Sequence, residues 1–466
     1  MLRSLLSMGC LGPYGIYGAI FMVLTSASVQ AQTAGEGAGS SVIVPVDVGP
    51  DKDKEPAEHP DNYKSPVNRI LGVDRRRDQY GKDFGYFVYP IAGDIPGLGQ
   101  AAGLGATLMN MGGSDMDFTG FKVDGDFSAS GATLLDINLI PQRLIFDFGY
   151  YDYDVAPVDY ARGLDSDKDD YLLPKVKGYY WLGQMTLTFM QRKVEAFYRL
   201  GLGKSQLLEI REKDGSLYPI GDTSEKNARG DTLGVSFDNT DDRLDPRTGV
   251  RAEIARKGFN NEDPLVSDFY IMDYNLTAYV PMRRWDTLAF NLFRSDAHVT
   301  RQASTDEAYL KSQFGFNCAP ADQACLQVEQ EFVDRRIQFN QYGVASSLGG
   351  TQRLRSFANG RYTAGHSLFY GLEYRWNLTD ERVPFDIFIA RGVRTGFQLA
   401  FFAEQGSVAE NTSDLWRQRR TSYGVGFRLV LSGIIIRADY ATGDEGDEFV
   451  LFINYPWSLF SVDSSG

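Results

Sequence analysis

Cysteine, histidine and long apolar runs are scarce in this chain, and each scarcity closes off a class of function. Only His59, His298 and His366 carry imidazole, and only three residues carry a thiol. A protein metal centre needs several such ligands at one point, so neither a metal nor any other cofactor is expected. Cys10 precedes the apolar core of the N-terminus instead of following it, which argues against a lipoprotein anchor. Cys318 and Cys325 are then left to each other, and in an oxidising compartment they are expected to pair. Basic charge is also short. With 47 Lys+Arg against 61 Asp+Glu, the formal net charge is −14, the wrong sign for a nucleic-acid partner; acidic loops and an acidic lumen account for it. Past the N-terminus no run of about 18 apolar residues occurs, so no membrane helix is available. What the chain does have is glycine and tyrosine in quantity, 49 Gly and 26 Tyr, a bias that suits twisted strands and interfacial aromatic girdles.

Arg3, the apolar run Ile16 to Leu24 and the small-residue end Val29-Gln30-Ala31 have the order of an export signal, expected to be cleaved after Ala31 (residues 1–31). Residues 32–83 are rich in Gly, Ser, Pro, Asp and Lys and read as a disordered leader. Within it, Ser65 to Asp78 forms either a short amphipathic helix, with Val67, Ile70, Leu71 and Val73 on one side, or a basic linker.

After Phe84 the pattern changes to strict alternation. Val194, Ala196, Tyr198, Leu200 and Leu202 oppose Glu195, Arg199, Gly201 and Gly203, and Tyr270, Met272, Tyr274, Leu276 and Ala278 oppose Asp273, Asn275 and Thr277. An apolar face toward lipid and a polar face toward a lumen define a transmembrane barrel, because lipid forbids unpaired strand edges and closure removes them. The expected fold is an all-β, antiparallel transmembrane barrel over residues 84–457, with a tail at 458–466. Sixteen segments alternate in this way: 84–93, 98–110, 117–128, 132–140, 143–153, 177–190, 192–207, 229–239, 249–259, 268–281, 285–298, 364–377, 394–406, 420–431, 433–441 and 447–457. The long connections, 154–176, 208–228, 299–363 and 407–419, are expected on the extracellular side, and both chain ends on the periplasmic side.

The stretch Ser347-Leu-Gly-Gly-Thr-Gln-Arg-Leu-Arg-Ser-Phe357 sits near the end of the longest connection. Two alternating strands follow it, each with one acid on its polar face, Glu373 and Glu404. This arrangement resembles the outer-membrane barrel superfamily that includes BamA, TamA and FhaC, the bacterial surface antigen type. The strand, acidic turn and strand from Gly234 to Val250, with Asp245, Pro246 and Gly249, add to the resemblance. It implies that the sixth extracellular loop folds back into the lumen. Arg355 is then the motif arginine, Phe357 its aromatic, Gly349 and Gly350 the glycine pair, and Glu373 and Glu404 the wall acids.

The resemblance further implies a protein of the bacterial outer membrane that inserts or translocates protein or lipid. Its partners would be outer-membrane lipids together with unfolded outer-membrane proteins or lipid substrates. Passage would use a weak seam between Phe84–Gly93 and Glu448–Trp457, where Gly85, Pro90, Gly93 and Pro456 limit pairing. The alternative is a passive porin or a structural surface barrel. Two departures stand out: Ser356 occupies a position where the family usually has glycine, and residues 32–83 are too few for a periplasmic polypeptide-transport module.

Other chemistry is weaker. A surface Ser-His dyad could use His298 or His366, but no serine motif accompanies either, so the chain is not expected to be an enzyme. The acids of Asp165 to Asp170 lack the glycine and glutamate of a calcium loop. Gly97 to Gly103 has the glycines of a phosphate loop without its helix.

Overall fold

The computed structural model describes residues 84–457, apart from 216, 218–223, 244, 260–262, 284–285, 315–317, 380–384, 388–389, 394 and 432–433. The expected export signal, the leader with its helix and the 458–466 tail lie outside the described residues.

Alternation in β8 (Val194–Glu212) fixes which face meets which surroundings. Tyr198 and Leu202 are 44% and 47% exposed, while Glu195 and Arg199 on the other face are 3% and 7% exposed. The inside of this fold is charged and its outside apolar, the reverse of a water-soluble protein and the pattern expected in lipid. Trp181, Leu233, Phe290, Leu372, Trp376, Phe401, Val425 and Phe449 continue the exposed apolar belt around the circumference.

Before β8 lie β1 (Gly85–Ile95), β2 (Gly99–Met109), β3 (Asp117–Gly125), β4 (Ser128–Ile140), β5 (Leu144–Val155), β6 (Asp159–Tyr160) and β7 (Tyr171–Phe189). After it come β9 (Lys226–Thr240), β10 (Gly249–Phe259), β11 (Asp268–Pro281), β12 (Thr287–Arg301) and β13 (His366–Asn377). The last are β14 (Phe385–Ile387), β15 (Ala390–Val393), β16 (Thr395–Ala409), β17 (Arg420–Leu431), β18 (Ile434–Gly443) and β19 (Gly446–Ile453). β6, β14 and β15 are pieces of two to four residues. The other sixteen are joined antiparallel, neighbour to neighbour, into a closed barrel.

Both described chain ends lie at one mouth, here the terminal mouth, together with the turn after β9 and the β13 to β16 connection. The opposite, distal mouth carries the long loops. β7 and β8 run further than alternation alone indicated, shortening the loops beside them to 156–170 and 213–225. Near the seam the inner wall is also less polar than expected. Ile95, Val123, Tyr151, Tyr153, Tyr180, Val450 and Phe452 bury one another there, so these inward side chains meet protein and not water.

The connection from β12 to β13 contains two helices that the sequence reading left as loop, α1 (Glu307–Phe314) and α2 (Gln323–Tyr342). The Asp322 carboxylate caps α2 by accepting from the backbone N–H of Cys325 at 3.1 Å. Cys325 is disulfide-bonded to Cys318, with Cα atoms 5.5 Å apart. An unreduced digest of protein isolated from the membrane is expected to yield the two peptides crosslinked; two free thiols would contradict the pairing. At its far end α2 is pinned by Asn340, whose side chain accepts from Ser267 N at 3.1 Å and donates to Ser304 O at 2.8 Å.

Candidate functional site

From Val344 the chain leaves α2 and descends into the lumen. The bridge Leu348 to Tyr362 closes a small knot, with N–H groups donating in both directions at 2.9 and 3.0 Å. Inside it Gly349 N donates to Arg353 O at 3.0 Å and Gly350 N to Phe357 O at 2.8 Å. Both glycines adopt φ near +100°, which an L side chain rarely accepts. Phe357 is buried in the same apolar cluster as Leu348, Leu354 and Tyr362. The predicted glycine pair and aromatic thus serve one purpose, a tight turn that presents Arg355 to the wall.

Arg355 is fully buried and meets three acids. Its Nη1 donates to Glu373 and to Asp439, each at 2.9 Å, and its Nε donates to Glu404 at 3.0 Å. Its backbone N–H also donates to Glu404, at 2.9 Å, and its guanidinium lies 3.4 Å over the Phe402 ring. Burial alone would push the Arg355 pKa down; Glu404, Asp439 and Glu373 outweigh it and push it up. The wall acids are shared with wall arginines. Glu373 accepts from Arg375 and Arg428, at 2.9 and 3.2 Å, and Asp439 from Arg428 and Arg437. Four guanidinium groups face three carboxylates at essentially zero exposure. In so dry a place each pair depends on its hydrogen bonds, and Arg355 Nη2, Arg375 Nη1 and Nη2, Arg428 Nε and Arg437 Nε have no partner among the described residues.

Asp439, Arg428 and Arg437 were not picked out from the sequence, although Arg437 and Asp439 stand two apart on the inner face of β18, a spacing that signals a wall pair. Arg353, also buried, has no acid at hydrogen-bonding distance among the described residues; its Nη2 donates to Asn275 Oδ1 at 3.4 Å. It lies 3.7 Å over Phe293, and burial pulls its pKa down to about 10.

Ser356 is accommodated from the other side. Its N–H donates to Ser422 Oγ at 3.0 Å, and its own hydroxyl occupies the space a side chain on Gly443 would take. The glycine absent from the loop is replaced by one in the wall.

The end of β19 departs from expectation. Trp457 was read as the last strand residue, but β19 stops at Ile453, and Asn454 turns the chain inward with φ +75°. Trp457 is buried in the lumen, its Nε1 donating to Glu404 at 3.0 Å and its carbonyl accepting from Asn275 at 2.8 Å. Gly371 makes room for it: a methyl group there would lie 2.6 Å from the indole. Tyr455 OH donates to Asp245 at 2.7 Å. The polar network of the loop therefore also anchors the chain end.

That inward turn leaves the seam thin. β1 pairs with β2 along its whole length, from Gly85 opposite Met109 to Ile95 opposite Gly99. Toward β19 one register pair is present, Asp94 opposite Leu451. β19 ends early, at Ile453, and Pro90 and Gly93, expected to weaken the joint, stand opposite Leu104 and Ala101 of β2 on the other side of β1.

The remaining candidates are placed as follows. His366 Nδ1 is 2.8 Å from Asp296, which also accepts from Arg294, and His298 stacks on Tyr270. Asp169 and Asp170 meet Lys213 and Arg335. Gly97 and Gly99 shape the turn from β1 to β2 with φ of +82° and +105°.

No protein-family model matches the chain, and no curated protein does. Solved structures with a similar fold include BamA from Haemophilus ducreyi lacking POTRA domains 1–3, at 15% identity over 80% of this chain and 69% of that one, with a TM-score of 0.45. CdiB from Acinetobacter baumannii is 12% identical over 79% of this chain and 59% of its own, TM-score 0.45. CdiB from Escherichia coli is 9% identical over 79% and 62%, TM-score 0.44. The chain spans less than two thirds of either CdiB. At these identities the likeness is one of fold alone; the closed antiparallel barrel of sixteen strands is read from this chain's own strand pairing.

Proposed function

We propose that this protein is a barrel of the bacterial outer membrane that facilitates insertion or translocation of protein or lipid through the seam between β1 and β19, and that it is not an enzyme. The terminal mouth would face the periplasm. The observation that carries the reading is the edge of β1, which β19 meets at Asp94 and leaves unmatched below. An unmatched strand edge offers backbone donors and acceptors to another extended segment. Passive conduction is less well supported, because Glu195, Arg243, Asp273, Arg355, Arg428 and Asp439 point into the lumen and are all buried.

The test is a staple. Asp94→Cys with Leu451→Cys should oxidise across the seam and keep the strands from parting, while heat-modifiable migration persists. The outer-membrane proteome and lipid asymmetry of a strain carrying the oxidised form should match a deletion strain, and reduction should restore them. Full activity in the oxidised protein, with conductance unchanged, would favour a porin.

A further inference from the structure

The exposed apolar runs of the outer face do not end alike around the distal rim. On β7, Trp181 is followed toward that rim by Tyr179 and then Lys177; on β8, Leu202 is followed by Lys204. On β9, Leu233 gives way to Asp231 and Arg229, on β10 Ile254 to Arg256, and on β12 Leu292 to Arg294. Each cation shares the outward face of its apolar neighbour, since both fall on one two-residue period. Around the rest of the rim the runs on β16, β19, β1 and β5 end on Gln405, Asp447, Asp94 and Asp152, and Lys122 of β3 is followed by Asp124. Lys204 is paired with Glu225 and Arg294 with Asp296. Lys177, Arg229 and Arg256 are exposed and make no ion pair among the described residues. Arg256 lies 4.5 Å from the centre of the Tyr270 ring, which on β11 also stacks on His298 at 5.0 Å.

We infer that the outward face of β7 to β12 at the distal rim is a docking surface for a lipid whose headgroup carries phosphate. The inference needs only a barrel standing in a bilayer, and not the passage proposed for its seam. On these strands the cation stands two or four residues past the last apolar side chain, about 7–14 Å, which is the step from acyl chains to headgroups. Arginine suits phosphate because its planar N–H groups reach two oxygens at once. Held flat on Tyr270, Arg256 gives up little freedom on binding and keeps its N–H edge for the ligand. A free phosphate would be held by charge alone. A lipid gains in addition from chains laid along Leu202, Leu233 and Ile254, directly beneath the cations. A neutral lipid would fill the same belt and leave the charges unused.

The experiment uses the full-length protein in detergent micelles, with lipid retention read by native mass spectrometry. The probes are dioleoyl phosphatidic acid, dioleoylglycerol, which has the same chains without phosphate, and soluble glycerol phosphate, which has no chains. Wild type should retain phosphatidic acid about tenfold more tightly than either of the others. Arg229→Gln with Arg256→Gln should weaken that retention about 25-fold, the scale of two cations at a membrane surface. Lys177→Gln with Arg294→Gln should weaken it by a similar factor, and Lys122→Gln should leave it unchanged. Equal retention of dioleoylglycerol, or unchanged retention of phosphatidic acid in either folded double variant, would overturn the site. Glycerol phosphate bound as tightly as the lipid would overturn the lipid as occupant. An equal loss in Lys122→Gln would show attraction to charge anywhere on the rim and overturn the assignment to this arc. Heat-modifiable migration reports whether each variant folds, and one folded double variant decides the test.

Discussion

Arg355→Ala is expected to free the 344–365 knot from the wall while the barrel stays closed. Losing one partner of a buried ion pair costs ~3–5 kcal/mol where the other is left uncompensated. Here the loss falls on Glu373, Glu404 and Asp439 together, and Arg375, Arg428 and Arg437 remain to blunt it for Glu373 and Asp439. The sheet does not depend on this side chain, since strand pairing is satisfied by backbone ladders. Protease accessibility across 299–363 should therefore rise, and heat-modifiable migration should persist. Arg355→Lys keeps the charge but lacks the planar fork that reaches three acids at once, so it should fall between wild type and alanine. Unchanged accessibility in the alanine variant would remove the idea of a lock.

Glu404→Ala should do more, because this carboxylate receives three donors from two parts of the chain. Arg355 N and Nε come from the loop and Trp457 Nε1 from the chain end. Its removal orphans all three and raises the local excess of positive charge. Each orphaned buried donor costs ~1–3 kcal/mol, more for a charged one. Both the knot and residues 454–457 should become mobile. Maleimide labelling of a cysteine at Asn454 should increase several-fold with Glu404→Ala, the scale of a loss of ~1 kcal/mol or more, and barely change with Arg355→Ala, where Trp457 keeps its acceptor. Since the two residues share one network, the double variant should cost less than the sum of the singles. Equal labelling in both single variants would mean that the chain end is held independently of the loop.

The barrel was legible because its strands obey a period of two with the polarity reversed. Tyr198 against Arg199, or Leu372 against Glu373, assigns a face without any knowledge of neighbours. The wall acids Glu373 and Glu404 were legible through the same facing rule, and Arg355 through the resemblance carried by its glycine pair and aromatic. Asp439 and Arg428 were not, because alternation says which face a residue takes and not how far along the barrel axis it stands. The turn at Asn454 was hidden for a related reason. Phe449, Leu451, Ile453, Tyr455 and Trp457 alternate well enough to extend β19 to its predicted end, and what pulls Trp457 inward is an acceptor on β16 and a vacancy at Gly371, both far away in sequence. The short strands β14 and β15 were missed because strand tendency in pieces of three and four residues has no face to reveal.

The position of the lock residues along the chain has a bearing on how the barrel forms. Arg355, Glu373, Arg375, Glu404, Arg428, Arg437 and Asp439 all belong to the stretch from the knot to β18, and none of Arg355's acids comes from β1 to β12. Bringing them together closes short loops, which costs little chain entropy and proceeds quickly. Joining β1 to β19 closes the longest loop in the described protein. Assembly should accordingly begin among the C-terminal strands around the knot, and the last joint to be made is the one with the least pairing to hold it.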